Sequence, residues 1–340
     1  MKKNLFSMVV LVSAFYGLIY LSGLYWWLEF LVSVLAYSVV FYLWHTAISY
    51  LRKKERMTIK KFLPYFAYRL STFLIVIFVL FWSFVYYENK IEPAKLPEFT
   101  VTNGKKTVVF QWMAHIWSDA FYKQVQDNIR QRKKEWYVYF YEWVKLGKKE
   151  NMEKFDKLLG VKFDKKTYVN LSKIYWLRAQ DNNDFFWIEN DLDFNADIWM
   201  DEIISLYEKK YWAVDMTKKT QDPKISADPV SVDKIIESAI SQMTPRELNF
   251  LIYVNRSIMN FIIKNESVRN TILAWSGQKN LFDIILEDRN RVIIDSIVKT
   301  EHPKIYITYW LMHFNGVWSW LQRLDPSWKL LSIKYLTPIE

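Results

Sequence analysis

The sequence predicts an α/β protein: N-terminal transmembrane helices, then a mixed, mostly parallel sheet with helices on both faces. Three observations predict it. The first 87 of the 340 residues hold three apolar stretches with no charged side chain. Behind them, Thr107–Glu142 reads as strand, helix, strand. The chain then closes on a second run of strand, helix and strand between Lys304 and Tyr335.

The apolar stretches are Asn4–Trp27, Phe30–Leu51 and Leu70–Tyr87. At about 1.5 Å per residue each can cross a hydrocarbon core of about 30 Å, which makes membrane lipid the first expected partner. Tyr25, Trp26, Trp27, Tyr86 and Tyr87 crowd the ends, where amphipathic rings settle at the lipid interface. No small-residue cleavage site follows the first stretch, which argues for an anchor over a cleaved leader. Lys2 and Lys3 precede the first stretch, and Arg52, Lys53, Lys54, Arg56, Lys60 and Lys61 fill the loop before the third. The positive-inside rule then places the N-terminus and that loop in the cytoplasm, with residues 88–340 outside the cytoplasmic membrane.

Charge supports this reading over a nucleic-acid partner. The net charge is +10, but residues 1–87 hold nine Lys/Arg and two Glu, which leaves +3 for the 253 residues that follow. A nucleic-acid domain concentrates its basic residues on the folded part. There is no cysteine, so disulfides and thiolate metal sites are excluded.

The expected organisation is a three-helix anchor over 1–87, a Pro-containing linker over 88–104 (Glu88–Thr100, ENKIEPAKLPEFT) and one α/β domain over 105–340. Thr107–Gln111 is a buried strand, Asp119–Lys134 shows helical spacing, and Tyr137–Glu142 is the next strand. Such a βαβ unit implies a parallel pair with a right-handed crossover. Ala213–Asp228 reads as an exposed polar loop. Thr244-Pro245-Arg246-Glu247 opens a helix to about Asn265, with Thr244 as cap and Glu247 as capping-box partner. A helix over Asn280–Thr300, strand Lys304–Tyr309, a helix near Val317–Arg323 and strand Lys329–Tyr335 complete the chain.

Only four histidines occur, and two lie in matching places. His115 stands four residues past strand Thr107–Gln111, and His313 four past strand Lys304–Tyr309; Glu142 closes strand Tyr137–Glu142. Sites in open α/β sheets form outside the carboxyl ends of strands. Two imidazoles and a carboxylate would suit a divalent metal with an open water position, the pattern of a hydrolytic centre; the alternative is that each His caps a helix or bonds backbone. His45, within an apolar stretch, reads as packing, and His302, before Pro303, as solvated.

The segments QWMAHI, SDAFY and YVYFYEWV within Val108–Val144, NADIWMDE at Asn195–Glu202, LEDRN at Leu286–Asn290 and YWLMHFNGV near the C-terminus resemble the TraB/PrgY/GumN (pheromone-shutdown) family over about 105–340. The resemblance implies a fold like that of erythromycin-esterase-like and haem-uptake-related proteins. It also implies kinship with membrane-tethered metalloproteases that use two Gly-x-x-His motifs and a Glu. Carried over, it implies His115, His313 and Glu142 as metal ligands, with Glu142 as ligand or general base and Arg289 and Asn290 as supporting polar residues. The expected activity is a membrane-anchored, metal-dependent, peptidase-like hydrolase acting on peptides or proteins; the alternatives are a non-catalytic binder that sequesters a secreted peptide, and a degenerate scaffold.

One departure stands out. Both motifs carry Trp where Gly belongs, in Trp112-Met113-Ala114-His115 and Trp310-Leu311-Met312-His313, and the same swap recurs at Trp136 and Trp143. Average usage of about 7% Gly predicts roughly 24 glycines in this length; the chain has 7 Gly and 17 Trp. Together they match that expectation, as if a UGA codon read as glycine in the organism were written as Trp.

Asp191-x-Asp193-x-Asn195-Ala196-Asp197 with Glu202 nearly spells a calcium loop, but Ala196 stands where the sharp turn wants Gly, and Asp197 reads better as the cap of a helix over Ile198–Lys210. The sequence contains no Gly-rich phosphate loop, nucleophile elbow or His-Glu-x-x-His helix, so nucleotide binding, serine hydrolysis and zincin chemistry lack support.

Overall fold

The computed structural model describes residues 2–22, 25–53, 55, 57–162, 167–181, 192–214, 230–275 and 279–339. The expected loop at Ala213–Asp228 lies almost wholly outside them. The chain forms two compact units, residues 1–91 with 240–257, and residues 92–239 with 258–340.

In the first unit, α1 (Lys2–Ser22), α2 (Tyr25–Leu51) and α3 (Ile59–Tyr86) are followed by a π-helical turn at Tyr87–Ile91. Two helical segments among the described residues, Leu31–Leu51 and Ile59–Ile91, are long and apolar enough to cross a membrane; a shorter apolar stretch covers Leu5–Gly17. Phe73, Phe78 and Leu80 of α3 are exposed, an apolar face suited to lipid. The third helix starts well before the apolar stretch at Leu70 and takes in Lys60, Lys61 and Arg69, because its hydrogen-bonded ladder needs no apolar side chains to continue toward Thr58. The Ser71 hydroxyl donates to the Ala67 carbonyl at 2.7 Å and to the Ser7 carbonyl at 3.4 Å, joining α3 to α1. Tyr42 meets Phe62 edge-on at 5.0 Å, joining α2 to α3. Residues 240–257 belong to this unit too, which the sequence reading did not foresee. Phe250 packs on Phe81 and Trp82 at 6.2 and 6.0 Å, the Asn89 amide donates to the Ser257 hydroxyl at 2.6 Å, and Arg246 lies over the Tyr20 ring at 4.4 Å.

The second unit opens with β1 (Leu96–Thr102), β2 (Thr107–Met113), β3 (Ile116–Trp117), α4 (Asp119–Lys134) and β4 (Val138–Tyr141). Next come α5 (Lys149–Leu159), β5 (Val161–Lys162), α6 (Thr167–Tyr175), β6 (Arg178–Ala179), β7 (Phe194–Asn195) and α7 (Met200–Lys210). The chain continues through β8 (Val230–Ser231), α8 (Val232–Ser241), α9 (Pro245–Lys264), α10 (Glu266–Trp275) and α11 (Lys279–Asp283), of which residues 240–257 belong to the first unit. A π-helical turn at Ile284–Asp288 leads into α12 (Arg289–Lys299), β9 (Lys304–Trp310), α13 (Phe314–Leu324) and β10 (Lys329–Leu336). The capping box at α9 forms as expected: Thr244 N–H donates to Glu247 Oε2 at 2.7 Å, and Glu247 N–H to Thr244 Oγ1 at 3.3 Å.

Six strands make one mixed sheet in the order β10-β1-β2-β9-β4-β7. The β2-β9-β4-β7 part is parallel, and β10-β1-β2 is antiparallel. Two expectations are corrected here. The stretch read as a linker over 88–104 contains β1, which lies between β10 and β2. Pairing with β2 begins only at Glu98, so Pro97, which has no N–H, costs the β2 ladder nothing. The βαβ unit 107–142 is real, but β2 and β4 are not neighbours. The late strand β9 inserts between them, with Ile305 opposite both Val108 and Val138.

The two-residue period of the strands loads both faces. Val109, Tyr139 and Tyr306 pack with Phe121, Tyr122, Val125 and Ile129 of α4. Val108, Phe110, Val138, Phe140, Ile305 and Ile307 pack with Ile293, Ile294 and Ile297 of α12 and Phe314, Val317 and Leu321 of α13. Each fully buried aliphatic side chain contributes about 1.5–3 kcal/mol relative to exposure. That two-sided burial is why the strands read as apolar runs.

Candidate functional site

The parallel strands β2, β4 and β9 end side by side, and the chain leaves each one carrying a polar residue. Glu142 follows β4 directly. One of its oxygens accepts from the backbone N–H of Trp310 at the end of β9, the other from an Arg289 terminal nitrogen. Arg289 opens α12 immediately after the π-helical turn, a widened turn of the kind that re-aims a side chain. Its guanidinium makes a forked pair with Asp197, Nε to Oδ1 at 2.7 Å and a terminal nitrogen to Oδ2 at 2.8 Å. Tyr309 closes the group: its hydroxyl donates to the Ala196 carbonyl at 3.1 Å, and its ring lies 5.6 Å under the guanidinium.

Asn290, next to Arg289, accepts at Oδ1 from His313 Nδ1 at 2.8 Å, a tautomer assignment that leaves Nε2 as the ring's acceptor. His313 is wholly buried, and no hydrogen bond of normal geometry reaches its Nε2 among the described residues, although the Leu286 backbone acts on the ring and opposes the lowering of its pKa. Gly316 permits this seating: a Cβ there would fall 2.2 Å from Asn290 Nδ2. His115 is partly buried beside Tyr168, ring to ring at 4.5 Å, and bonds the Gln180 side chain.

The electrostatics follow from burial and from one cation. Desolvation first, then the Arg289 charge, lower His115 to about 4, opposed by Gln180 and Asp197. The same two causes hold His313 well below 6.5. Both imidazoles are therefore neutral at pH 7. Burial raises Asp197 above the usual carboxylate value although Arg289 opposes it. Burial works against the Arg289 charge, but Glu142 first, then Tyr309 and Asp197, keep it well above its ordinary value.

Four of the five expected residues thus meet through direct bonds, Glu142 with Arg289 and Asn290 with His313. His115 joins them through the fields of Arg289 and Asp197. As a metal ligand set, the expected trio His115, Glu142 and His313 does not fit this arrangement. Both oxygens of Glu142 and Nδ1 of His313 are committed, and the Arg289 charge stands among them. Among the described residues no three His, Asp or Glu side chains stand together as a ligand group.

Sequence reasoning missed three members: Asp197, Tyr309 and Gly316. Asp197 was assigned to a helix cap; it does accept the Ile198 N–H at 2.9 Å, but the helix starts at Met200, and the carboxylate's main partner is Arg289. The nearby Asp193 accepts the Tyr139 N–H at 2.9 Å and pairs with Lys133, fixing β4 instead of forming a calcium loop. Comparison with family models, with curated proteins and with solved structures returns no match to this chain.

Proposed function

We propose that the protein is a membrane-anchored, peptidase-like hydrolase whose site is the cluster of Glu142, Arg289, Asp197, His115, Asn290 and His313. One observation carries the reading: a buried guanidinium held by two carboxylates, flanked by two neutral imidazoles, at the carboxyl ends of three parallel strands. The resemblance of the two His segments to the TraB/PrgY/GumN family supports peptide hydrolysis as the reaction class, while the metal that the resemblance implies has no part in this reading. Glu142 takes a proton from water as the water oxygen attacks a peptide carbonyl, and Arg289 stabilises the charge that develops on the carbonyl oxygen. The proton then passes to the leaving amine. His115, neutral and beside Gln180, supplies a hydrogen-bond acceptor at the rim. Asn290 is a positioning residue that fixes His313.

A sequestering, non-catalytic reading is favoured by one specific observation, that both oxygens of Glu142 already accept hydrogen bonds, from the Trp310 N–H and from Arg289. Glu142→Gln separates the two. In a hydrolase it abolishes peptide cleavage and leaves peptide binding intact; in a binder it leaves both peptide retention and the absence of cleavage unchanged.

The proposed topology keeps residues 88–340 outside the cytoplasmic membrane. The chain has no cysteine, so single cysteines report placement cleanly. Lys149→Cys, at a side chain 92% exposed, is expected to react with a membrane-impermeant maleimide on intact cells, and Lys53→Cys only after lysis. The reverse pattern contradicts the topology.

A further inference from the structure

Three consecutive helices, α4, α5 and α6, end in the same way. After each, one residue turns into the left-handed region and its N–H bonds back to a carbonyl three residues earlier. After α5 that residue is Gly160, with φ +70° and its N–H 3.2 Å from the Lys157 carbonyl. After α4 it is Trp136, with φ +68°, bonding the Lys133 carbonyl at 3.1 Å while Tyr137 N–H reaches the Arg132 carbonyl at 3.0 Å. After α6 it is Trp176, with φ +49°, bonding the Lys173 carbonyl at 3.2 Å while Leu177 N–H reaches the Ser172 carbonyl at 3.1 Å. These bond pairs define the Schellman motif, whose left-handed position is normally glycine. Bulky residues with positive φ are outliers; among the described residues only Lys53, Trp136 and Trp176 show one without being glycine. Neither indole is recompensed by burial, for Trp136 is 87% exposed and Trp176 69%.

Trp112, half-buried, and Trp117, buried, are out of place for a different reason. The indole N–H groups of Trp112 and Trp117 are buried with no acceptor among the described residues, although buried Trp N–H groups normally find one. Trp310 stands at the site itself: its backbone holds Glu142, and its ring lies 5.8 Å from that of His313.

We propose that Trp136 and Trp176, and with them Trp112 and Trp310, are glycine in the protein as its own cell makes it, through a codon read there as glycine. Glycine at 310 removes an indole from beside His313 and Glu142. It leaves a pocket of about that size at the carboxyl end of β9, open to a peptide segment of the substrate. The residue identities stand without the hydrolase reading; only the occupant of the pocket rests on it.

The test is the mass of tryptic peptides from protein purified from its native cells: Glu135–Lys145 for position 136, Ile174–Arg178 for 176, Thr107–Lys123 for 112 and Ile305–Arg323 for 310. Glycine masses at 136 and 176 are expected, and tryptophan masses there overturn the proposal whatever the protein hydrolyses. In recombinant full-length protein, Trp136→Gly and Trp176→Gly are each expected to raise the Tm by about 2–4 °C, since the left-handed turn no longer strains a Cβ. Trp310→Gly in that background is expected to leave the Tm unchanged or higher. A fall of about 6 °C or more marks Trp310 as a core side chain and overturns the pocket.

Discussion

Two buried arginine–carboxylate clusters lie in the same sheet domain, and they are built to different rules. Around Glu98, Arg132 donates at 3.2 Å, the Asn128 amide at 3.3 Å and the Tyr306 hydroxyl at 3.4 Å. Arg132 has a second carboxylate partner, Glu135 at 3.3 Å, but that one is exposed, so one cation meets one buried anion and neutral donors supply the remainder. Around Arg289, one cation meets two carboxylates, Glu142 and Asp197, and two imidazoles held neutral lie within its field. A charge-balanced pair with neutral support is what a fold needs to bury a carboxylate. Two carboxylates largely withdrawn from solvent on one guanidinium, with perturbed imidazoles beside them, are not needed for that purpose. Such perturbed groups gather where chemistry is done.

The comparison can be broken by mutation. Arg289→Met leaves Glu142 and Asp197 buried without their cation and is expected to cost about 3–5 kcal/mol in a denaturant titration. Arg132→Met is expected to cost less, about 1.5–3 kcal/mol, because Asn128 and Tyr306 still donate to Glu98. Equal costs would mean that the two clusters do the same structural work.

Acidification sharpens the contrast. The folded value of His115 is about 4 against an unfolded value of 6.5, so between those limits the unfolded chain binds the extra proton. Stability therefore falls as pH drops through that window, by about 1.6 kcal/mol between pH 6.5 and 5 from His115 alone. His313 is lowered in the same direction and adds to the loss. His115→Gln is expected to flatten the pH dependence. The smallest expected effect is that of Gly316→Ala, about 1–3 kcal/mol, since the new Cβ displaces Asn290; its diagnostic signature is an upward shift of the His313 titration as the ring loses its fixed seat.

Local rules made much of this legible. The apolar runs at Thr107 and Lys304 are strands because both sheet faces are covered, and Thr244 with Glu247 forms the capping box that its spacing announces. Glu142 and His313 were found from their place just past strand ends. What the sequence hid was non-local. Asp197 and Arg289 are 92 residues apart, and nothing near Asp197 separates an ion-pair partner from a helix cap. The insertion of β9 between β2 and β4 depends on a strand late in the chain. β1 was concealed by Pro97, which reads as a linker signal until its place beyond the β2 ladder is known.

Cleavage by the site itself tests the account most directly. Full-length protein with glycine at 112, 136, 176 and 310, reconstituted in lipid nanodiscs, is incubated with a mixed-sequence peptide library, and the products are read by mass spectrometry beside a Glu142→Gln control. New peptide termini that the control does not produce are expected, while the control still binds peptide. Peptides bound but uncut by both proteins, or cut equally by both, would contradict a hydrolytic role for the Glu142–Arg289 cluster.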